Sequence, residues 1–273
     1  IDDLIESYKK KFFFAVKLYP SGATTNSSKG IEKISAKYNI IEKMCKNKIP
    51  LLVHGEVNIR EVDVFDREKF FIEKELFPIN DRFPELKMTL EHITTEFAVE
   101  YINQANNNLR ASITPHHLIL NRTDMLEHKI KPHYYCLPIL KKENDRKALL
   151  NAAFNDSQKF FLGTDSAPHV IGQKESSCGC AGIFNTINSV QTLAQVFENH
   201  NMLNQLENFI SINGSLHYEL PINKEKIILQ KTEKPIHFKE NLKVRDENIK
   251  IFKPNFDVFW TIKSVVNNED VIN

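Results

Sequence analysis

Four polar residues, each closing a short apolar run, could meet on one metal ion. They are Lys17 in Val16-Lys17-Leu18-Tyr19-Pro20, His54 in Leu52-Val53-His54-Gly55-Glu56, His92 in Leu90-Glu91-His92-Ile93, and Asp165 in Leu162-Gly163-Thr164-Asp165-Ser166. Imidazole nitrogen and carboxylate oxygen suit Zn2+, and a zinc site with an open position lowers the pKa of bound water to about 7, so hydrolysis near neutrality is the chemistry expected. A lysine ammonium has three protons and no lone pair, so Lys17 ligates only after its amine has reacted with carbon dioxide to form a carbamate, whose two oxygens can bridge two metals. Taken singly, a lysine at a strand end is an ion-paired residue and a histidine a hydrogen-bonded structural one. His116, His117, His128, His133, His200, His217 and His237 take that reading. His54 and His92 are set apart by their common register with Lys17 and Asp165.

The elements that must carry these residues alternate between helical and strand-like periods. Ile31, Ile34, Tyr38, Ile41 and Cys45 form an apolar helical stripe, followed by the apolar run 49–53. A helical stretch around 66–76, a strand over 87–92, a helix over 95–105 and a strand over 109–114 come next; 146–154 reads as a helix and 160–163 as a buried strand. Ile187, Val190, Ala194 and Phe197 mark a further helix face, and Gly214 is expected to stop the next helix near Ile212. Apolar runs without alternation predict parallel strands covered by helices on both faces. The spacings of 37 residues from Lys17 to His54 and 38 from His54 to His92 approach one unit of a (β/α)8 TIM-like barrel, in which strand ends share one mouth.

Five strands are legible, ending near Lys17, His54, His92, Thr114 and Asp165, against the eight that close such a barrel. An open remnant leaves apolar edges unpaired, so the expectation is that the first strands are missing from this chain, either lying before Ile1 or supplied by another chain. The segment 1–11 reads as an amphipathic helix before a strand, in keeping with a chain that starts inside a fold. Residues 1–220 are assigned to the barrel, as strands 4–8 with their helices. Residues 221–273 are assigned to a C-terminal extension of short strands packed on the barrel and anchored by Phe256, Phe259 and Trp260.

Composition narrows the partners. With 36 Lys+Arg against 35 Asp+Glu there is no electrostatic footprint for nucleic acid or an anionic membrane, and no apolar run approaches the roughly 20 residues of a membrane span. A small-molecule ligand is expected. Four cysteines in 273 residues do not make a disulfide framework, and with no signal-peptide pattern the expected location is cytoplasmic. Cys178-Gly179-Cys180 lacks the second pair that a zinc knot requires.

The motifs resemble those of the shorter, bacterial-type (class II) dihydroorotases of the amidohydrolase superfamily. The matching stretches are Lys17-Leu18-Tyr19-Pro20, Ala23-Thr24-Thr25-Asn26-Ser27-Ser28, Pro50-Leu51-Leu52-Val53-His54-Gly55-Glu56, Phe65-Asp66-Arg67-Glu68, Glu91-His92-Ile93-Thr94-Thr95, Tyr135-Cys136-Leu137-Pro138-Ile139-Leu140-Lys141, Gly163-Thr164-Asp165-Ser166-Ala167-Pro168-His169 and Lys174-Glu175-Ser176-Ser177-Cys178-Gly179-Cys180-Ala181-Gly182.

The resemblance implies a zinc-dependent, reversible interconversion of N-carbamoyl-L-aspartate and L-dihydroorotate in pyrimidine biosynthesis, on two zinc ions. It implies that carboxylated Lys17 bridges them, that His54 and His92 hold one, and that Asp165 binds the other and moves the proton. It further implies substrate contacts at Leu137, His169 and Ala181, a closing loop at Thr24 and Thr25, and a homodimer. The family's His-x-His pair for the second zinc has no counterpart in this sequence, so that site is incomplete as resemblance has it. A non-catalytic homologue serving as a binding or assembly partner, and a cyclic amidase acting on hydantoin or allantoin, are the alternatives.

Overall fold

The structure, a computed structural model, describes residues 1–23, 27–177 and 179–267. Five short strands, β1 (Val16–Leu18), β2 (Leu51–His54), β3 (Met88–Glu91), β4 (Leu109–Ile113) and β5 (Phe160–Leu162), form one parallel sheet in chain order. They are the five strands expected from the sequence. Each connection between consecutive strands carries helix, which a parallel pair requires, because its return path must cross the sheet. The helix α1 (Asp2–Lys9) precedes β1, and α2 (Tyr38–Lys46) leads into β2. Next, α3 (Arg67–Phe71), a π-helical turn (Ile72–Leu76) and α4 (Phe77–Arg82) run together into β3, and α5 (Glu96–Gln104) leads into β4. Between β4 and β5 lie α6 (Pro115–Ile119), α7 (Arg122–Leu126) and α8 (Glu143–Phe154); α9 (Ile171–Lys174), α10 (Ser189–Asn199) and α11 (Asn213–Tyr218) follow β5.

Strand register shows which face of the sheet is which. Val16, Leu51, Met88 and Leu109 are aligned, as are Leu18, Val53 and Leu90 with Ala111 and Phe160. With the two-residue side-chain period these rows share one face, and they merge with Met44, Phe71, Ile72, Ile102, Leu149 and Leu150 of the covering helices in one core. The other face carries the rows Lys17, Leu52, Thr89, Arg110 and His54, Glu91, Ser112, Phe161. The expectation of strands apolar on both sides is therefore corrected: only the helix-covered face is uniformly apolar, and the other alternates in the charged and hydroxyl groups from which a site can be built.

Helix α11 occupies the lower part of that second face. Thr89 Oγ1 bonds to His217 Nε2 at 3.0 Å and to the Tyr218 hydroxyl at 2.8 Å, while Phe161 packs on both rings. Gly214 does not stop a helix, as the sequence suggested. It lies within α11 against Phe161, whose ring would be 3.3 Å from an added Cβ, and the helix ends instead at Glu219, in the left-handed region at φ 55°. In the C-terminal part β6 (Glu225–Lys231) pairs antiparallel with β9 (Trp260–Asn267), and β7 (Asn241–Val244) pairs with β8 (Glu247–Lys250). Trp260 Nε1 donates to Glu198 Oε2 at 3.1 Å and the Phe259 amide to Gln195 Oε1 at 3.0 Å; Phe252 and Val258 are more deeply buried than the aromatic residues expected as anchors. Among the described residues, no helix is long and apolar enough to cross a membrane.

Candidate metal and substrate site

At the carboxyl ends of β2 and β3, His54 and His92 are buried, with His54 Nδ1 and His92 Nε2 3.2 Å apart. Two imidazole nitrogens each about 2.0–2.1 Å from one zinc, at an angle of roughly 100°, are separated by that distance. The other nitrogen of His54, Nε2, lies 3.1 Å from Oε2 of Glu56, which is 1 % exposed. A carboxylate there takes the Nε2–H bond and leaves the Nδ1 lone pair facing His92, the arrangement in which a second carboxylate orients a metal-ligating histidine. Burial, with His54, Lys17 and His117 nearby, pushes the His92 pKa well below that of ordinary histidine, so its ring is neutral. A cation between the two rings would satisfy both converging lone pairs, so the donor chemistry fits a metal.

Lys17 projects from the same face of the sheet. Its ammonium pairs with Glu91 on β3, and its side chain is 36 % exposed. Desolvation pushes Lys17 down to about 8, while the Asp165 carboxylate acts in the opposite sense. Asp165, just beyond β5, is itself raised by desolvation, with Lys17 and His54 opposing the rise. The ends of β1, β2, β3 and β5 thus place Lys17 within electrostatic reach of His92 and Asp165, and His54 within reach of the same two residues.

The backbone is held in an unusual conformation at two of these positions. His92 has φ 45° and Asp165 φ 41°, in the left-handed region, at a cost of about 1–2 kcal/mol for a residue with a Cβ. Such strain persists where surrounding bonds impose it. The His92 amide donates to Ser112 Oγ at 2.9 Å and the Ile93 amide to the Ser112 carbonyl at 3.0 Å. Buried Glu68 then accepts from the amides of Thr94 at 2.8 Å and Thr95 at 2.9 Å, and from both threonine hydroxyls. Burial raises the Glu68 pKa, against the pull of Lys141 and the threonines.

The residues expected to meet substrate fall on two neighbouring segments. Leu137 lies in the stretch 135–139, which the Gly182 amide joins by a 3.0 Å bond to the Tyr135 carbonyl, and His169 Nε2 is 3.0 Å from the Ala181 carbonyl. Thr24 and Thr25 lie outside the described residues, as does Cys178. Sequence reasoning did not single out Glu91, Glu56 or Glu68. The first two lie next to His92 and two residues from His54 respectively, and strand alternation alone places Glu91 on the face of Lys17.

A second cluster, His116, His117 and Cys136, has donor atoms within 4.8 Å of one another. Both His117 nitrogens are engaged, with Thr114 Oγ1 at 2.7 Å and the Pro138 carbonyl at 2.9 Å, and burial lowers this ring to about 3. Asn185 Nδ2 donates to His116 Nδ1 at 2.9 Å, and burial pushes the Cys136 thiol up to about 12. Three of the four ring nitrogens are thus held in hydrogen bonds, in keeping with the structural reading of His116 and His117, while His116 Nε2 is buried without a partner among the described residues.

Residues 1–231 match the model of the amidohydrolase family. A dihydroorotase of Sinorhizobium medicae is 48 % identical over 261 residues, an alignment covering 96 % of this chain and 75 % of that protein. Among solved structures, dihydroorotase from Saccharomyces cerevisiae in complex with 5-fluoroorotic acid superposes with a TM-score of 0.82 at 31 % identity, covering 97 % of this chain and 77 % of that one. Dihydroorotase from Campylobacter jejuni gives 0.80 at 31 % identity, covering 94 % and 74 % respectively. Five parallel strands with their helices, a polar mouth at the strand ends and these relatives lead to one conclusion: the chain belongs to the amidohydrolase family, among its dihydroorotases.

Proposed function

We propose that this chain is a dihydroorotase that interconverts N-carbamoyl-L-aspartate and L-dihydroorotate in pyrimidine synthesis, with zinc as its metal and carboxylated Lys17, His54, His92 and Asp165 as the metal-binding set. The observation that carries the site assignment is the convergence of His54 Nδ1 and His92 Nε2, with Glu56 fixing the tautomer of His54. When bound, the metal supplies Lewis-acid polarisation and a water acidic enough to act near neutrality. His54 and His92 together with Lys17 would hold one ion, and Asp165 with Lys17 would hold the other.

Lys17 is suited to modification because a pKa of about 8 leaves a usable fraction of neutral amine near neutrality. The amine nitrogen bonds to the carbon of carbon dioxide and loses a proton, giving the carbamate. The carbamate must then share the mouth with Glu91, which currently neutralises the ammonium. Asp165 accepts the proton of the attacking water and returns it to the leaving ring nitrogen in hydrolysis; cyclisation runs the same transfers backwards. Its raised pKa favours that alternation between protonated and ionised forms. His169 and the backbone at Leu137 and Ala181 hold the substrate's carboxylate and ring, and residues 221–273 form an extension on a barrel unit spanning 1–220.

The test is hydrolysis of dihydroorotate beside hydantoin, with metal content measured on the same preparation. The expected result is preference for dihydroorotate with zinc bound; preference for hydantoin overturns the substrate assignment. The donor set favours a second reading in one respect, because among the described residues the proposed set offers the second ion only Lys17 and Asp165. One zinc or none per chain, without turnover, would identify a non-catalytic homologue.

A further inference from the structure

Lys174, at the end of α9, is 3 % exposed, and among the described residues its ammonium forms no ion pair with a carboxylate. It donates instead to three carbonyls, Tyr135 at 2.8 Å, Cys180 at 2.8 Å and Gly182 at 2.7 Å. Those bonds use all three of its donors, and burying a charge is tolerable only when its hydrogen bonds are complete. No neutral side chain offers three N–H groups from one atom. The acceptors come from two separate stretches of sequence, one at Tyr135 and one at Cys180 and Gly182. The Tyr135 carbonyl also accepts the Gly182 amide at 3.0 Å, so the two stretches are joined directly as well as through the lysine.

The second stretch has little room to move on its other side. Gly182 has φ 150°, and a Cβ there would lie 2.7 Å from the Ala167 carbonyl oxygen and 2.9 Å from His169 Cδ2. The 180–182 backbone is therefore confined between Tyr135 and the segment that follows Asp165, with Lys174 behind it. We propose that Lys174 is a positioning residue that sets the separation between the backbone around Leu137 and that around Ala181, and so determines how tightly substrate is gripped. The proposal rests on the reading that these two stretches meet the substrate. The ammonium of Lys174 is spent on these three carbonyls, so its loss should weaken ground-state and transition-state binding alike, raising KM and leaving kcat nearly unchanged.

The experiment compares the unsubstituted chain with Lys174→Met and Lys174→Arg. It reads dihydroorotate kinetics, affinity for 5-fluoroorotic acid by calorimetry, and backbone hydrogen exchange in peptides covering 133–140 and 179–184. In the unsubstituted protein, 5-fluoroorotic acid should slow exchange in both peptides. Lys174→Met should raise KM and weaken the ligand by about tenfold, hold kcat within about threefold, and speed exchange in both peptides but not in one around His54. Lys174→Arg keeps the charge but spreads its donors over several nitrogens, so a KM raised by about threefold is expected; this variant decides alone if the methionine variant does not fold. If the ligand fails to bind, or binds without slowing exchange in either peptide, the substrate reading falls and the proposal with it. If exchange slows as expected but both variants keep the unsubstituted KM, the proposal alone is overturned.

Discussion

At Asp165 the demands of backbone and chemistry can be separated by one substitution. Its φ of 41° is a conformation that asparagine also tolerates, so Asp165→Asn removes the carboxylate without adding strain. The expected outcome is a fall in kcat of roughly 10²–10⁴-fold, the range for a lost proton-transfer group, with a melting temperature close to that of the unsubstituted protein. A normal rate would remove Asp165 from the proton path. Glu56 poses the complementary case, because it acts on His54 and not on substrate. Replacing it with glutamine should weaken metal binding by roughly 10–100-fold, read by competition with a coloured chelator, and leave the far-ultraviolet circular dichroism unchanged.

The turn from β3 into α5 holds His92, a proposed metal ligand, through bonds that involve no metal. Glu68 receives four hydrogen bonds from Thr94 and Thr95, and Thr95 Oγ1 also accepts the Ala98 amide at 3.1 Å to cap α5. Glu68→Ala strands buried donors worth about 1–3 kcal/mol each, so a loss of about 3 kcal/mol or more is expected in urea unfolding. An unchanged midpoint would show the carboxylate to be dispensable. This element also marks what the sequence could reveal. The strand ends at His54, His92 and Asp165 were legible because a short apolar run closing in a polar residue is a local pattern. The role of Glu68 was not, since the groups that donate to it lie 26 and 27 residues away and nothing in Phe65-Asp66-Arg67-Glu68 shows where that carboxylate will point. Gly214 failed for a similar reason, because packing against Phe161 from another element outweighed the local signal of a helix stop.

Across the whole molecule, buried histidines link stability to pH. His117 and His217 are neutral in the fold, each pushed by burial to about 3 from an ordinary value of 6.5. Between those values the unfolded chain binds protons that the native chain does not. Stability is therefore fully present above about pH 6.5 and falls as pH drops toward 3, by up to roughly 1.4 kcal/mol per pH unit for each site. Urea unfolding across that window should show the slope, and His217→Gln should flatten it; an unaltered slope would remove His217 from the linkage. The parallel register carries a last consequence for how the enzyme can be wrong. Sliding β2 by a single position against β3 would turn His54 outward among the helices and deliver Val53 to the opening. Occupancy of the site that His54 and His92 share is then an all-or-none property of strand alignment, and a misaligned molecule should lose that ion outright, not hold it more weakly.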